Sequence, residues 1–336
     1  MDTPDQVGKT TSVEKGSSLW ADAWQRLKKN HMAVFSMIVL GLIFVLCFAI
    51  PIAGNAFAPE DDAIRAADYW LKDPNNQNLN NTFASPSGQH WLGTDQSGRD
   101  LFSRVLHGGQ ISLLVGIVAT TISVLVGVTY GAIAGYSSKT VDTVMMRIVD
   151  ILYGLPFLVL IILFSLLISE HMAVYSAYII KEWKWDSVTV NKYANLIPLF
   201  IAIGALGWLT MARVARAQVM TLKKLEFVEA AVSLGLRKKT ILLRHIIPNM
   251  LGPIIVYTTL TVPGFILTEA TLSFLGLGVE APNSSWGILL QEGANYMETH
   301  SRLLIIPSIV FSLTLFALNF LGDGLRDALD PKAAKD

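Results

Sequence analysis

The sequence predicts an all-α membrane protein with six transmembrane helices, and three observations carry that prediction. Only 15% of the 336 residues are charged and 52% are hydrophobic, whereas about a quarter of an ordinary soluble domain is charged. Six uncharged runs each reach about the 20 residues that a helix needs to cross roughly 30 Å of hydrocarbon. Lys and Arg crowd into alternate connections between those runs. The net charge of zero argues against nucleic acid as a partner. Cys47 is the single cysteine; it can form no internal disulfide, and its place in an apolar run suits a small packing residue.

In chain order, residues 1–31 are polar and are expected to hold no secretory signal. Positions 17–30 are predicted to form an interfacial helix. Trp20, Trp24 and Leu27 fall at i, i+4 and i+7 on one helical face, and Arg26, Lys28 and Lys29 lie off that stripe, where they can meet anionic headgroups. The first span follows over 32–56, within the uncharged run 33–59. Residues 57–107 form a long acidic connection. The runs 111–138, 151–169, 193–212, 246–268 and 303–322 place five further spans within a core over 108–323. The third run is the shortest and is sharply bounded by Asp150 and Glu170. A polar loop over 213–247 divides the fourth span from the fifth, and a tail over 324–336 follows the sixth.

Orientation follows from charge. With the amino terminus inside, 18 of the 26 Lys and Arg residues fall in inside segments and 8 in outside ones. The positive-inside rule therefore predicts both termini and the 213–247 loop in the cytoplasm, and the 57–107 segment outside.

Gly127, Gly131 and Gly135 recur every fourth residue of the second span, which lets another helix backbone approach closely, in this chain or in a partner. No Gly-Lys-Ser/Thr follows them, so they form no phosphate loop, and Gly276-Leu-Gly278 marks a turn after the fifth span.

The most informative stretch is the island between the fourth and fifth spans. Its pattern is helix, glycine break, helix. Glu226 and Glu229 lie on a charged face, and Phe227, Ala230, Ala231 and Leu234 supply a low apolar one that a partner can wrap. Gly235 suits a helix C-cap. Arg237, Lys238 and Lys239 start a second amphipathic stretch, and Pro248 falls where the next span begins.

Glu229-Ala-Ala, Gly235 six residues on, and Ile247-Pro248 resemble the EAA loop of ABC importer permeases. His90-Trp-Leu-Gly-Thr-Asp-Gln-Ser-Gly-Arg-Asp100, Leu272-Ser-Phe-Leu-Gly-Leu-Gly278, Ser285-Trp-Gly287 and Gly322-Asp-Gly-Leu-Arg-Asp-Ala-Leu-Asp-Pro331 are similar to the dipeptide and oligopeptide branch, above all its oligopeptide C-type subunits. The resemblance covers roughly 17–331. It implies a type I importer (MetI-like) permease fold in a bacterial inner membrane. It also implies a second homologous permease subunit, two ATPase subunits that bind ATP and Mg, and a periplasmic peptide-binding protein. By matching position, Glu226, Glu229, Ala230, Ala231, Gly235 and Pro248 would form the coupling contact with an ATPase. The chain has no Gly-x-x-x-x-Gly-Lys-Ser/Thr and is expected to hold no cofactor and to catalyse no reaction. The resemblance departs at 171–195, a longer connection than related permeases have; a lid, a contact for the binding protein and a tolerated insertion all fit it.

Among the remaining polar residues, Glu269 near the outer end of the fifth span suits either a group lining the translocation path or one solvated at the interface. Asp142, Arg147 and Asp150 suit structural ion pairs. The six histidines show no metal-ligand spacing, and nothing pairs a nucleophile with a base. An ion-coupled carrier would show ionisable residues at mid-membrane or paired broken helices, and a scaffold without transport would leave the Glu229 island without a task.

Overall fold

The computed structural model describes residues 19–58, 69–280 and 282–329. Residues 17–18 of the expected interfacial helix, the stretch 59–68, Ala281 and the end of the tail, 330–336, lie outside the described residues. Secondary structure is helical throughout, apart from an isolated bridge between Thr94 and Asp100 among the described residues.

Helix α1 covers Leu19–Lys29. The six spans are α2, His31–Gly54; α3, Leu101–Tyr136; α5, Phe157–Trp183; α7, the helix that ends at Leu222; α9, Lys238–Phe274; and α11, Arg302–Leu329. Between them lie α4, Lys139–Tyr153; α6, Ser187–Ala194; α8, Glu226–Ser233; and α10, Trp286–Asn295. The regular part of α7 is Ile197–Leu222.

Helix α3 is the axis of the bundle. At 36 residues it is about 54 Å long and outlasts the hydrocarbon. Its start is Leu101 rather than residue 108. Asp100 caps it by accepting from Ser103 N at 2.8 Å, and Arg104 in its first turn is neutralised by Asp95 at 2.6 Å. Helix α7 runs beside it. A Cβ on Gly127 would come within 2.7 Å of the Met211 Cβ, and one on Gly135 within 2.9 Å of the Arg216 carbonyl. The four-residue glycine spacing thus serves packing within this chain.

The third span differs most from expectation. Residues 151–153 end the amphipathic helix α4, the chain turns at Gly154-Leu155-Pro156, and the span runs from Phe157 to Trp183 straight through Glu170 and His171. Both of these polar side chains are exposed and lie at the middle of a 27-residue helix; a carboxylate marks the edge of an uncharged run, but glutamate is a good helix former and does not end the helix. Most of the 171–195 connection is therefore helical, shared between α5 and α6.

The fourth span likewise continues past Ala212 to Leu222, so the loop expected from residue 213 begins ten residues later. Helix α9 starts at Lys238, well before the membrane run. A π turn over Leu242–Ile246 precedes Pro248, at a point where a residue without an N–H can be seated in a continuing helix.

One end of the bundle gathers α1, α8 and the end of α11. Ala23 and Leu27 of α1 pack with Ala33 and Ala328, and Gly324 lies under Ala33 and Leu27. The proposed Trp20-Trp24-Leu27 stripe is split: Leu27 faces the protein, whereas Trp24 is exposed with Lys28 Nζ 5.0 Å from its ring centre. At the other end, Trp286 is fully buried against α3, donating from Nε1 to the Val105 carbonyl at 3.0 Å.

Candidate functional site

Helix α8 stands at the charged end of the bundle. Glu226 and Glu229 occupy its first turn, where the exposed N–H groups favour carboxylates. Val228 and Ala231 turn inward and join Ala215 and Val219 of α7 and Met250 of α9 in one buried cluster. Ala231 is therefore a root of the helix rather than part of its outer surface, because a 3.6-residue period puts it beneath Val228. Phe227, Ala230, Val232 and Leu234 are exposed, Leu234 by 80%.

Gly235 ends the helix with φ +75°. Its N–H donates to the Val232 carbonyl at 2.9 Å and that of Leu236 to the Ala231 carbonyl at 3.2 Å, the double closure of a Schellman turn. The turn aims the chain at Arg237-Lys238-Lys239. Pro248 is exposed in the first regular turn of α9. An apolar surface of this kind, ringed by Glu226, Glu229 and three cations, fits a protein partner better than lipid or water.

The end of α7 connects α8 to the rest of the bundle. Arg216 grips Asp142 of α4 through two hydrogen bonds of 2.5 and 2.6 Å. The guanidinium holds the Asp142 carboxyl below its ordinary range. Arg213 donates to Asp150 at 2.9 Å and lies 4.2 Å over the Tyr153 ring. Asp142 and Asp150 thus form ion pairs as expected, but with arginines of α7; Arg147, grouped with them on the sequence, joins no ion pair among the described residues. Opposite charges at helical spacing on two elements were the signal available for these contacts.

Beside this junction a cleft of about 520 Å³ opens between the α4–α5 turn, α7 and α9. Tyr153, Leu155, Thr210, Tyr257, Thr261 and Thr268 are among its walls, and no charged side chain lines it among the described residues. No sequence signal marked it, since its walls come from residues 152–157, 206–210 and 257–268.

Glu269 does not line that cleft, nor does it meet an interface: it is fully buried. Ser112 of α3 donates to it at 3.0 Å and Ser273 at 2.7 Å. Two serines supplied by separate helices satisfy a carboxylate that the sequence placed among apolar residues.

The motif over 90–100 builds the opposite end. Asp95 accepts from Ser97 N, Arg99 N and Arg99 Nε at 2.7 to 2.9 Å. Arg104 bridges Asp95 and Glu292, tying the loop to α10. Ser285 caps α10, and Gly287 is needed because a Cβ there would meet the Ala270 backbone at 2.6 Å. These motifs fix helix ends and crossings.

Comparison with known proteins places the pieces in one context. Residues 127–335 match the family described as the binding-protein-dependent transport system inner membrane component, and residues 18–86 match the N-terminal TM domain of oligopeptide transport permease C. The chain is 43% identical to the oligopeptide transport system permease protein OppC of Haemophilus influenzae, over 95% of this chain and 90% of that protein. It is 41% identical to the OppC protein of Escherichia coli, over 98% and 97%. It is 38% identical to the dipeptide transport system permease protein DppC of Bacillus subtilis, over 96% and 88%.

Proposed function

The chain belongs to the family of binding-protein-dependent transport system inner membrane components, and on that premise we propose that it is a permease subunit of an ATP-driven importer of oligopeptides. The observation that carries this reading is α8. Its exposed Phe227, Val232 and Leu234, at a charged end of a membrane bundle, form a seat for a soluble subunit. That subunit is an ATPase, and its closure pushes α8 and the 226–247 region. The spans then open a central path alternately to the two sides of the membrane.

The working unit has two permeases, this chain and a homologous second one, with two ATPases that bind ATP and Mg. A periplasmic binding protein delivers the peptide. With six spans, α1, α8 and the end of α11 share one side, and the excess of Lys and Arg there supports a cytoplasmic assignment. This chain makes and breaks no bond. Similarity to a dipeptide permease keeps dipeptides as a second substrate class, with nickel chelates after them.

Uptake of labelled di- to pentapeptides into vesicles tests the reading. The vesicles hold this chain with its second permease, ATPases and binding protein, and each is omitted in turn. Uptake that needs ATP and every component supports the importer. Uptake by this chain alone on an ion gradient overturns it in favour of a secondary carrier.

A further inference from the structure

We infer that α4 is a lever positioned by Arg213 and Arg216 of α7, and that its movement carries displacement of α8 to the mouth of the cleft. The inference rests on the importer reading and adds to it the residues that transmit the stroke.

Within this chain, helix α4 is poorly anchored by packing. Of its 15 residues only Val149 is buried. Val141, Val144, Ile148 and Ile151 form an apolar stripe at spacings of three, four and three, and all four face away from the bundle. Polar ties fix its position instead. Asp142 meets Arg216 and Asp150 meets Arg213, and the Tyr130 hydroxyl of α3 donates to the Met145 carbonyl at 2.8 Å. The Arg213 and Asp150 pair is largely exposed and weak enough to part and re-form within a working cycle, whereas the two-bond contact of Arg216 with Asp142 is the firmer tie. They contrast with the buried Arg104 and Asp95 pair at the other end.

The two arginines sit where a push on α8 arrives. Ala215 and Val219 alternate with them along α7 and share one buried cluster with Val228 and Ala231 of α8. Close packing transmits such a shift rather than absorbing it. At its far end α4 delivers Leu152 and Tyr153 to the cleft wall, and the Gly154-Leu155-Pro156 turn joins it to Phe157 of α5 on the same wall. Tyr153 is itself held by Arg213. With Asp142 held by Arg216, a tilt of α4 that swings this far end therefore moves the cleft wall on one side.

The test locks the lever in the assembled transporter. Asp150→Cys and Arg213→Cys are introduced together with Cys47→Ala, and a bis-methanethiosulfonate reagent bridges the pair. Wild-type uptake must first require ATP and the ATPases; if it does not, the importer reading fails before the lever is tested. The lever predicts that bridging lowers uptake about tenfold or more while ATP hydrolysis continues, and that dithiothreitol restores uptake. A merely structural tie predicts the reverse, since the bridge replaces the lost contact and preserves or improves uptake; that result overturns the proposal. Should the unbridged pair be inactive, Arg216→Asp decides. Alone it is expected to cut peptide moved per ATP by about fivefold, the size of coupling between contacting residues, and added Asp142→Arg is expected to restore it. No restoration overturns the proposal.

Discussion

Glu269 of α9 and Ser112 of α3 are joined by a hydrogen bond of 3.0 Å inside the bundle, 157 residues apart in sequence. The Ser112 hydroxyl also accepts from the Trp286 N–H at 3.2 Å, so one serine connects the carboxylate to the start of α10. Glu269→Ala would leave the Ser112 and Ser273 hydroxyl hydrogens without their acceptor, at a cost of about 1–3 kcal/mol. A lower unfolding midpoint in detergent is expected for Glu269→Ala, with Glu269→Gln close to the wild type because an acceptor oxygen remains. A Glu269→Gln protein of unchanged midpoint but altered peptide uptake would return this residue to the path.

Gly131 and Gly41 should respond in opposite ways to the same methyl group. A Cβ on Gly131 would collide with the Ala212 carbonyl, whereas one on Gly41 meets nothing within 4 Å. Gly41→Ala is expected to stabilise α2 by about 0.5–1 kcal/mol through helix propensity alone. Gly131→Ala is expected to destabilise by about 1–3 kcal/mol, because α3 and α7 must separate. Unfolding midpoints of the two purified variants check the contrast, and equal shifts would contradict it.

What the sequence revealed divides along the range of the forces involved. The six spans were legible because burial in lipid excludes charge over 20 residues, which is a local property. The Schellman turn was legible because Gly235 and the helix it closes are neighbours. Helix ends were misplaced where distant partners offset the local signal: Arg104 lies within α3 because Asp95 and Glu292 neutralise it. Glu170 did not end α5, since glutamate is a good helix former and the helix runs on through it. Ala231 and Leu27 were assigned to outer faces although periodicity shows only that a helix has an apolar face, and the cluster each joins comes from other helices. The cleft and the serines around Glu269 depend on helix crossings, for which the sequence carries no local mark.

The Asp142 and Arg216 contact should be resistant to acid. Its carboxyl is held below the ordinary value of 3.8, chiefly by the hydrogen bonds from Arg216. A carboxyl whose pKa is depressed by folding contributes stability that is complete above its unfolded pKa. That contribution is lost as pH falls through the folded one. The difference in unfolding midpoint between wild type and Asp142→Asn should therefore be constant from neutral pH down to about 4 and shrink only below that. A difference already gone at pH 5 would mean that Arg216 is not paired with Asp142 in the folded protein.

Gly235 offers the cleanest separation of backbone from side chain at the coupling end. Its φ of +75° disfavours any residue with a Cβ, yet a Cβ placed there would meet nothing within 4 Å. Substitutions therefore act through backbone conformation alone, at about 1–2 kcal/mol for an ordinary residue. Asn enters the left-handed region more readily than Ala, and Val resists it most. Peptide uptake should fall in the order Gly, Asn, Ala, Val, with Gly235→Pro lowest because it also removes the N–H that closes the turn on Val232. Membrane insertion should be unchanged across the series, since the turn lies outside the spans. Glu229→Arg is expected to impair uptake by a different route, inverting charge in the first turn of α8 at about 0.3–1 kcal/mol of helix stability and removing the carboxylate offered to the partner. Normal uptake by both Gly235→Pro and Glu229→Arg would remove α8 from the coupling path. Loss of uptake in Ala and Val but not in Asn would show that the direction of the chain after α8, rather than the glycine itself, is what the partner reads.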